Sequence, residues 1–431
     1  MLAGIKISNY KSIKELEIGV GQFNVLIGEN GAGKSNFLEV LASSSAIIAN
    51  KFSNEFMLSR GIRVVSPESL FSCFKNEVAE DISIVNVYDS GYGCLFDIKF
   101  DKNEPFAQLK SDIKILHRSL NLDNDLEIVD IKDFETNFLK DKLKNLAEDT
   151  YGSVDNLKNI LHEIRAKTSE AKTLEADSSD LELVGNIVDY INTLGSIQKT
   201  IFEKYYSKSE NAKDSNFIIF SPELSSLRNF STESQIEPLG INGEGLFKLL
   251  KIMQTHEEES FKEVCQTLEM FQWVEKIVVD DTSYNEQKVK IVDRFMGREI
   301  DHRSANEGFL FVLFYAVLFS SKYTPDFFAI DNIDASLNPK LCRVLIKKLI
   351  EIAKKNNKQV FVTTHNPAIL DGLNLNDDSE RLFKVERNDD GATQLKRIGV
   401  DDLPKPKRNG QVLRLSEAFM RGLLGGLPTN F

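Results

Sequence analysis

Long apolar runs, paired cysteines and an excess of positive charge are all missing from this chain. Its longest apolar run, from Phe309 to Phe319, is too short to cross a bilayer. The first residues, Met1 to Lys6, lack a signal-peptide pattern because polar residues interrupt them early. These absences argue against a membrane or secreted protein and favour a soluble cytoplasmic one with no membrane partner.

Cysteine is scarce, and no two cysteines are spaced for a shared function. No C-x-x-C pair occurs, so the sequence indicates neither a zinc site nor a disulfide framework. We therefore expect buried thiols in a reducing compartment. The 4 cysteines are Cys73, Cys94, Cys265 and Cys342.

The charge balance is acidic, with a net charge of -12 at pH 7. Such a balance argues against a surface coated for indiscriminate nucleic-acid binding, although a local basic groove is compatible with it. Hydrophobic residues make up 42% of the chain and charged residues 27%, as in ordinary globular proteins. A chain of 431 residues can bury a large core and hold two domains or more.

The chain does contain a phosphate-binding loop, because residues 28–35 fit the pattern G-x-x-x-x-G-K-S. An apolar strand-like run precedes the loop and a helical pattern follows it. A strand that turns into a helix aims backbone N–H groups and the helix dipole at an anion. Lys34 can reach the β- and γ-phosphates, and the Ser35 hydroxyl can ligate Mg²⁺. The predicted nucleotide-binding residues are Asn30, Gly31, Ala32, Gly33, Lys34, Ser35 and Asn36.

A carboxylate at the end of a second strand completes the predicted site. Asp331 follows four apolar residues, and we expect it to hold Mg²⁺ together with Ser35. His365 follows another apolar strand one β-α-β unit later, where it can hydrogen-bond a γ-phosphate. A predicted helix from Pro339 to about Lys355 joins the two strands through a right-handed crossover.

Composition divides the chain into three parts. Residues 1–119 hold a predicted β-hairpin, the phosphate loop and two further strands. Residues 120–214 have few glycines and no proline, and their leucines recur at spacings near three and four, which predicts a helical insertion charged on its outer face. For the edges of that insertion, a helical part of the core is an open alternative. Residues 215–431 supply the remaining strands and helices, and the pattern as a whole predicts an α/β fold.

The motifs together resemble those of ATP-binding-cassette (ABC) ATPases, in particular their RecF/SMC/OLD-like branch. The resemblance rests on the phosphate loop, Asp331, Thr364-His365 and the opening strands around Ile5 to Ile13. It implies an ABC-type P-loop head with a mixed central sheet flanked by helices. It also implies ATP and Mg²⁺ as cofactors and an ATP-dependent head-to-head dimer or higher oligomer.

Two further family segments have counterparts here. The signature segment of the family reaches the γ-phosphate held by the other subunit, and the matching residues are 304–308, with Asn306 where the family has serine. The resemblance therefore adds Asn306, Glu307 and Gly308 to the predicted nucleotide-binding residues. Residues 335–338 resemble the D-loop at the dimer contact.

The chain departs from the family directly after Asp331. The family has a glutamate there, which activates the attacking water, whereas this chain has Asn332. An amide can orient water but cannot take its proton, and loss of a general base costs about 10²–10⁴-fold in rate. We therefore expect slow or negligible hydrolysis, with Asp334 as the candidate substitute base. The predicted catalytic residues are Asn332, Asp334 and His365.

Short strings at 220–228, 330–337 and 425–428 resemble most the ATPase subunits (PtuA) of Septu anti-phage systems, with those of PARIS systems (AriA) a near alternative. The resemblance implies an oligomer that controls a partner nuclease of the HNH type, with DNA reached through that partner. The alternative is a RecF-like repair ATPase that binds DNA directly through basic residues, which a solvated surface explains equally well. Those residues are Lys340, Arg343, Lys347, Lys348, Lys354 and Lys355 on one predicted helix, and Lys405, Lys407, Arg408, Arg414 and Arg421 near the C-terminus.

Overall fold

A computed structural model describes most of the chain outside the predicted helical insertion. That insertion, residues 120–214, lies outside the described residues, as do Lys405, Lys407 and Arg408. The chain divides into two compact units, and the first consists of residues 1–90, 95–113 and 213–431. In the second unit the structure describes only strand residues 92–94 and 114–117. The described residues are 1–63, 66–75, 77–90, 92–100, 109–117, 216–228, 238–279, 289–404 and 413–424.

Strands and helices alternate along the described residues. The strands are β1 (Leu2–Tyr10), β2 (Ile13–Gly19), β3 (Phe23–Gly28), β4 (Cys73–Phe74), β5 (Glu77–Val78), β6 (Asp81–Tyr88), β7 (Tyr92–Phe100), β8 (Leu109–His117), β9 (Ile218–Phe220), β10 (Val274–Val279), β11 (Val289–Asp293), β12 (Glu299–Asp301), β13 (Phe327–Ile330), β14 (Gln359–Thr364), β15 (Glu380–Arg387) and β16 (Thr393–Ile398). The helices are α1 (Lys34–Ile48), α2 (Asn54–Ser59), α3 (Leu224–Arg228), α4 (Leu246–His256), α5 (Glu258–Leu268), α6 (Glu307–Ser320), α7 (Pro339–Lys355) and α8 (Leu415–Met420). Short 3-10 helices lie at Pro67–Leu70, His302–Ser304, Pro367–Gly372 and Val400–Asp402.

A six-stranded mixed sheet forms the centre of the first unit. Its strand order is β16-β15-β3-β14-β13-β9, and all neighbours are parallel except the antiparallel pair β15 and β16. Every residue of β3, β13 and β14 is buried, as expected for parallel strands covered on both faces. The carboxyl ends of these three strands meet at one edge of the sheet, which is where such sheets bind ligands. The predicted α/β fold with a mixed central sheet is confirmed.

Among the described residues three smaller sheets accompany the central one, and the smallest is the antiparallel pair of β4 and β5. The first has the order β2-β1-β6-β7-β8, and the pairing of β1 with β2 confirms the predicted N-terminal hairpin. The second has the order β10-β11-β12 and leads into the 3-10 helix before α6. In the part of the chain that the structure describes, every helix is too short or too polar to cross a bilayer.

The long apolar run from Phe309 to Phe319 forms most of helix α6, which is part of the hydrophobic core. Every residue from Phe309 to Ser320 is buried, which explains why no polar face interrupts this stretch. The helix packs against α3, α4, α5 and α7. The ring of Phe314 lies 5.9 Å from that of Phe220 on β9, so the helix also packs against the central sheet.

Two details of the structure differ from what the sequence pattern indicates. Residues 243–272 have a helical pattern, and they form two helices, α4 and α5, which separate at Glu257. Glu257 leaves helical geometry because its carboxylate accepts hydrogen bonds from the Ser321 hydroxyl and the Lys322 amide, both at 2.9 Å. The four thiols are not all buried: Cys94 and Cys342 are, but Cys265 is half-buried and Cys73, on a two-residue strand, is exposed.

A buried carboxylate, Glu39, joins α1 to the turn of the N-terminal hairpin. Its side chain is only 1% exposed and forms ion pairs with Lys11, in that turn, and with Arg63, whose Nε lies 2.8 Å from Oε1. Burial of one charge is costly unless opposite charges compensate it. The two cations therefore allow the charged side chain of Glu39 to be buried on the phosphate-loop helix α1.

We expect Glu39→Gln to lower the free energy of unfolding by about 3 kcal/mol, since the amide leaves the largely buried Lys11 without a counter-charge. Urea denaturation followed by circular dichroism measures this loss. The matched control is Glu17→Gln, because Glu17 forms an exposed ion pair with Lys6 at 3.3 Å. That exposed pair should contribute less than about 1 kcal/mol. Equal losses in the two variants would contradict the role assigned to Glu39.

Candidate nucleotide-binding site

The phosphate loop connects β3 to α1, and its conformation requires glycine. Gly31 and Gly33 have φ angles of +76° and +107°, in the left-handed region that side chains disfavour. At Gly33 a Cβ atom would also lie 2.1 Å from the Thr393 hydroxyl oxygen. The backbone of the loop can therefore close around an anion as the sequence predicts.

Neighbouring hairpins support the loop through a directed chain of hydrogen bonds. The Asn36 side-chain amide donates to the Ser12 hydroxyl at 2.6 Å, and the Ser12 hydroxyl donates to the Thr393 hydroxyl at 2.7 Å. The Thr393 hydroxyl in turn donates to the Ala32 carbonyl at 2.8 Å. Arg387 also donates through Nε to the Gly31 carbonyl at 2.8 Å. Sequence reasoning missed Ser12, Thr393 and Arg387, because no local pattern marks them.

Lys34 is buried in the loop, with only 6% of the residue exposed. Its ammonium group donates to the carbonyls of Gly28 and Glu29 at 2.8 and 2.9 Å. Burial lowers the pKa of Lys34 to about 8, and the negative charges of Asp331, Asp334 and Glu29 oppose that shift. Phosphate oxygens can replace these two carbonyl acceptors and restore a fully charged ammonium group.

Nucleotide binding should therefore be coupled to proton uptake by Lys34. Because the pKa in the free site is about 8, part of the lysine is neutral above that pH, and a polyanionic phosphate favours its charged form. We expect proton uptake on ATP binding near about pH 8.5, and an affinity that falls as the pH rises. Calorimetry in two buffers of different ionisation enthalpy measures the uptake.

The control for this coupling is Lys34→Arg, which stays charged throughout this pH range. It should bind ATP without proton uptake near that pH. Equal uptake in wild type and Lys34→Arg would assign the proton to another group.

The two predicted Mg²⁺ ligands lie together, as expected. The Ser35 hydroxyl donates to Asp331 Oδ2 at 2.9 Å, across the carboxyl edge of the central sheet. A hydroxyl and a single carboxylate are hard oxygen donors, and Mg²⁺ is usually held by one or two carboxylates together with phosphate oxygens and water. The residues fit this ion, so Ser35 and Asp331 would hold it, and the ion would neutralise charge on the phosphates.

The candidate catalytic residues differ in exposure and in hydrogen bonding. Asn332 is exposed and has a left-handed φ of 56°, and its backbone N–H donates to the Thr363 hydroxyl at 2.9 Å. Asp334 is half-buried and accepts a hydrogen bond from the Thr364 hydroxyl at 2.6 Å. Of these two residues, only Asp334 can take a proton from water, because an asparagine amide cannot.

His365 lies beside the phosphate loop, as the sequence predicts. Its side chain interacts with the backbone of Gly28. Burial lowers the pKa of His365 below its ordinary value, the positive charge of Lys34 lowers it further, and Asp334 and Asp331 oppose the shift. This shift favours the neutral imidazole, in which one ring nitrogen donates a hydrogen bond and the other accepts one.

The signature-like residues lie at the N-terminus of α6, apart from the loop. Asn306 caps the helix, because its side-chain oxygen accepts from the Phe309 amide at 2.8 Å. Glu307 accepts from the Ser336 hydroxyl at 2.9 Å, which joins this segment to the D-loop-like residues. Among the described residues, no hydrogen bond or ion pair connects Asn306, Glu307 or Gly308 to the phosphate loop of the same chain.

The basic surface expected on α7 is smaller than the sequence indicates. Lys354 forms ion pairs with Asp377 and Glu380 at 2.8 and 2.6 Å, and Lys355 pairs with Glu263 at 2.8 Å. These acidic partners come from distant parts of the chain and are invisible in the local pattern. The exposed basic residues that remain on this helix are Lys340, Arg343 and Lys347.

Comparison with known proteins identifies the family. A segment of 117 residues is 28% identical to an ATP/GTP phosphatase of Helicobacter pylori (strain ATCC 700392 / 26695), and the match covers 26% of this chain and only 32% of that protein. The SMC head bound to the C-winged helix domain of ScpA aligns with a TM-score of 0.48 and 12% identity, over 93% of this chain and 98% of that one. The SMC head domain from Thermotoga maritima aligns with a TM-score of 0.42 and 12% identity, over 93% of this chain and 99% of that one. Because residues 1–370 match the family described as the AAA ATPase domain, the chain belongs to that family.

Proposed function

We propose that this chain is an ATP-binding subunit that self-associates on ATP and controls a partner nuclease in anti-phage defence, with slow or negligible hydrolysis. The observation that carries the proposal is the asymmetry of the site. Phosphate loop, Ser35 and Asp331 are assembled for binding, while the position of the family's catalytic base holds an exposed asparagine. Such a site is suited to bind ATP and to hydrolyse it slowly.

Asp334 does not remove this asymmetry. It does not follow Asp331 directly, and one of its carboxylate oxygens already accepts a hydrogen bond from the Thr364 hydroxyl at 2.6 Å. ATP then acts mainly as a conformational ligand, and it favours whichever assembled state binds it more tightly.

The signature-like segment supports self-association. Asn306 and Glu307 are exposed, and the amide nitrogen of Asn306 has no partner within the described ranges, since only the oxygen caps the helix. An exposed donor at a helix N-terminus is suited to an anion. In a head-to-head dimer this donor would meet the γ-phosphate held by the other copy.

The proposal of a partner nuclease rests on the sequence resemblance to Septu-type ATPase subunits, and a capture experiment tests it. The tagged full chain, Lys34→Ala, and the exposed-lysine control Lys14→Ala are recovered from the source organism with ATP and Mg²⁺ present. Copurifying protein and nucleic acid are both identified, and light scattering measures the assembly with and without ATP.

We expect the wild type and Lys14→Ala to recover a nuclease and to form an ATP-dependent oligomer, and Lys34→Ala to lose both. DNA recovered with no protein partner would contradict the proposal and favour a repair ATPase that binds DNA directly. An oligomer that is the same with and without ATP would contradict the regulatory role of the nucleotide.

A further inference from the structure

The buried hydroxyl of Thr363 contacts both residues that directly follow strand β13, Asp331 and Asn332. Thr363 is 0% exposed and is the second-last residue of β14. Strands β13 and β14 are parallel neighbours with Ile330 opposite Val362. The residues that follow this pair, Asp331 and Thr363, therefore lie next to each other. The Thr363 hydroxyl donates to Asp331 Oδ1 and accepts from the Asn332 backbone N–H at 2.9 Å.

Asp331 is thus held by a hydroxyl on each oxygen. Ser35 donates to Oδ2 at 2.9 Å, and Thr363 donates to Oδ1. Ser35 is itself a predicted metal ligand, so its hydrogen bond to Asp331 can change when a cation binds. Thr363 is fully buried and therefore has no such alternative role. The torsion of a carboxylate about its terminal bond is broad, so an anchor on one oxygen is needed to fix its plane.

We propose that Thr363 is a positioning residue for the Mg²⁺ site. Its hydroxyl fixes the orientation of the Asp331 carboxylate and, through the same oxygen, holds residue 332 in its left-handed turn. The inference rests on the proposed ATP site and deepens it by assigning a residue that supports the metal ligand. Thr363 itself contacts neither the predicted phosphate-binding residues nor the predicted base Asp334.

The neighbouring threonine provides a natural contrast. Thr364 follows directly on β14 and donates to Asp334 Oδ1 at 2.6 Å. Two consecutive hydroxyls therefore serve two carboxylates with different predicted roles, one for the metal and one for the attacking water. Only the Thr363 hydroxyl should affect metal affinity.

The test measures how much Mg²⁺ the full chain needs to bind a fluorescent ATP analogue. Thr363→Val keeps the shape of the side chain and removes the hydroxyl. Loss of such an outer partner of a metal ligand typically costs 10–100-fold in metal affinity, so half-maximal Mg²⁺ should rise by about that factor. Thr363→Ser should keep the wild-type value. Nucleotide affinity in EDTA should stay within about twofold in all variants, because the phosphate contacts are unchanged.

Two controls separate positioning from general disturbance. Thr267→Val removes another buried hydroxyl, which donates to the Glu263 carbonyl at 2.8 Å on α5, and Thr364→Val removes the hydrogen bond to Asp334. Both should keep the wild-type Mg²⁺ requirement. If Thr363→Val is not folded by circular dichroism, Thr363→Ala removes the same hydroxyl without the second methyl group.

The possible failures are distinguishable. Normal nucleotide binding with an unchanged Mg²⁺ requirement in Thr363→Val would overturn the inference alone. An equal rise in Thr363→Ser and Thr363→Val would show that packing, and not the hydroxyl, matters. Absence of ATP binding by the wild type in both EDTA and Mg²⁺ would overturn the proposed ATP site and the inference with it.

Discussion

Lys34→Ala should lower the affinity for ATP by about 100-fold or more. In the free protein the ammonium group donates two hydrogen bonds to carbonyls of its own loop, and phosphate oxygens would accept them instead. Each charge-assisted hydrogen bond contributes about 1.5–3 kcal/mol, and every 1.4 kcal/mol is about tenfold in affinity. Calorimetric titration with ATP at about pH 7, where wild-type Lys34 is charged, measures the loss.

The same substitution should leave the fold intact. Burial lowers the pKa of Lys34 to about 8, so the folded protein does not favour this charge and loses little when alanine replaces it. Lys14→Ala, at an exposed position on β2, should bind ATP as the wild type does. An affinity of Lys34→Ala within about tenfold of wild type would show that the loop does not hold the phosphates through this residue.

Asn332→Glu should raise steady-state ATP hydrolysis by about 10²–10⁴-fold, because it supplies the general base that the site lacks. Asn332 is exposed and follows Asp331 directly, so a longer carboxylate there can reach water beside the phosphate site. Glutamate tolerates the left-handed φ of 56° less well than asparagine, and the substitution should cost about 1–2 kcal/mol of stability. Phosphate release at saturating ATP measures the rate.

The control is Asn332→Gln, which has the length of glutamate without its basicity and should give no increase. Asp334→Asn complements it, because it tests the substitute base in the wild-type background. An ordinary enzyme rate in the wild type that is lost in Asp334→Asn would contradict slow turnover. It would also assign the base to Asp334.

The strand-end residues could be predicted because each follows a short, mostly apolar strand. The phosphate loop, Asp331 and His365 all come directly after strands that are buried on both faces, and such strands have a clear pattern in the sequence. Helix α7 was also predictable in full, since Asn338 caps it before Pro339 and its apolar residues recur at helical spacing.

What escaped prediction depends on contacts between distant parts of the chain. Thr363 looks like any residue of a buried strand until β13 is placed beside it. Glu39 looks like a polar residue on a helix, and only the hairpin turn with Lys11 explains its burial. Glu257 interrupts a helical pattern because of Ser321, a residue with no local relation to it. No local pattern encodes these partners.

The support of the phosphate loop by Thr393 has a consequence for where this ATPase can be divided. The family match ends at residue 370, yet strand β15 beside β3, Arg387 and Thr393 all follow that point. A fragment cut at residue 370 would therefore lack β15, the strand next to β3. It would also lack the Thr393 hydroxyl, which donates to the Ala32 carbonyl in the phosphate loop. We therefore expect a fragment that keeps the phosphate loop in this conformation to need residues through β16, because Thr393, at the start of that strand, supports the loop.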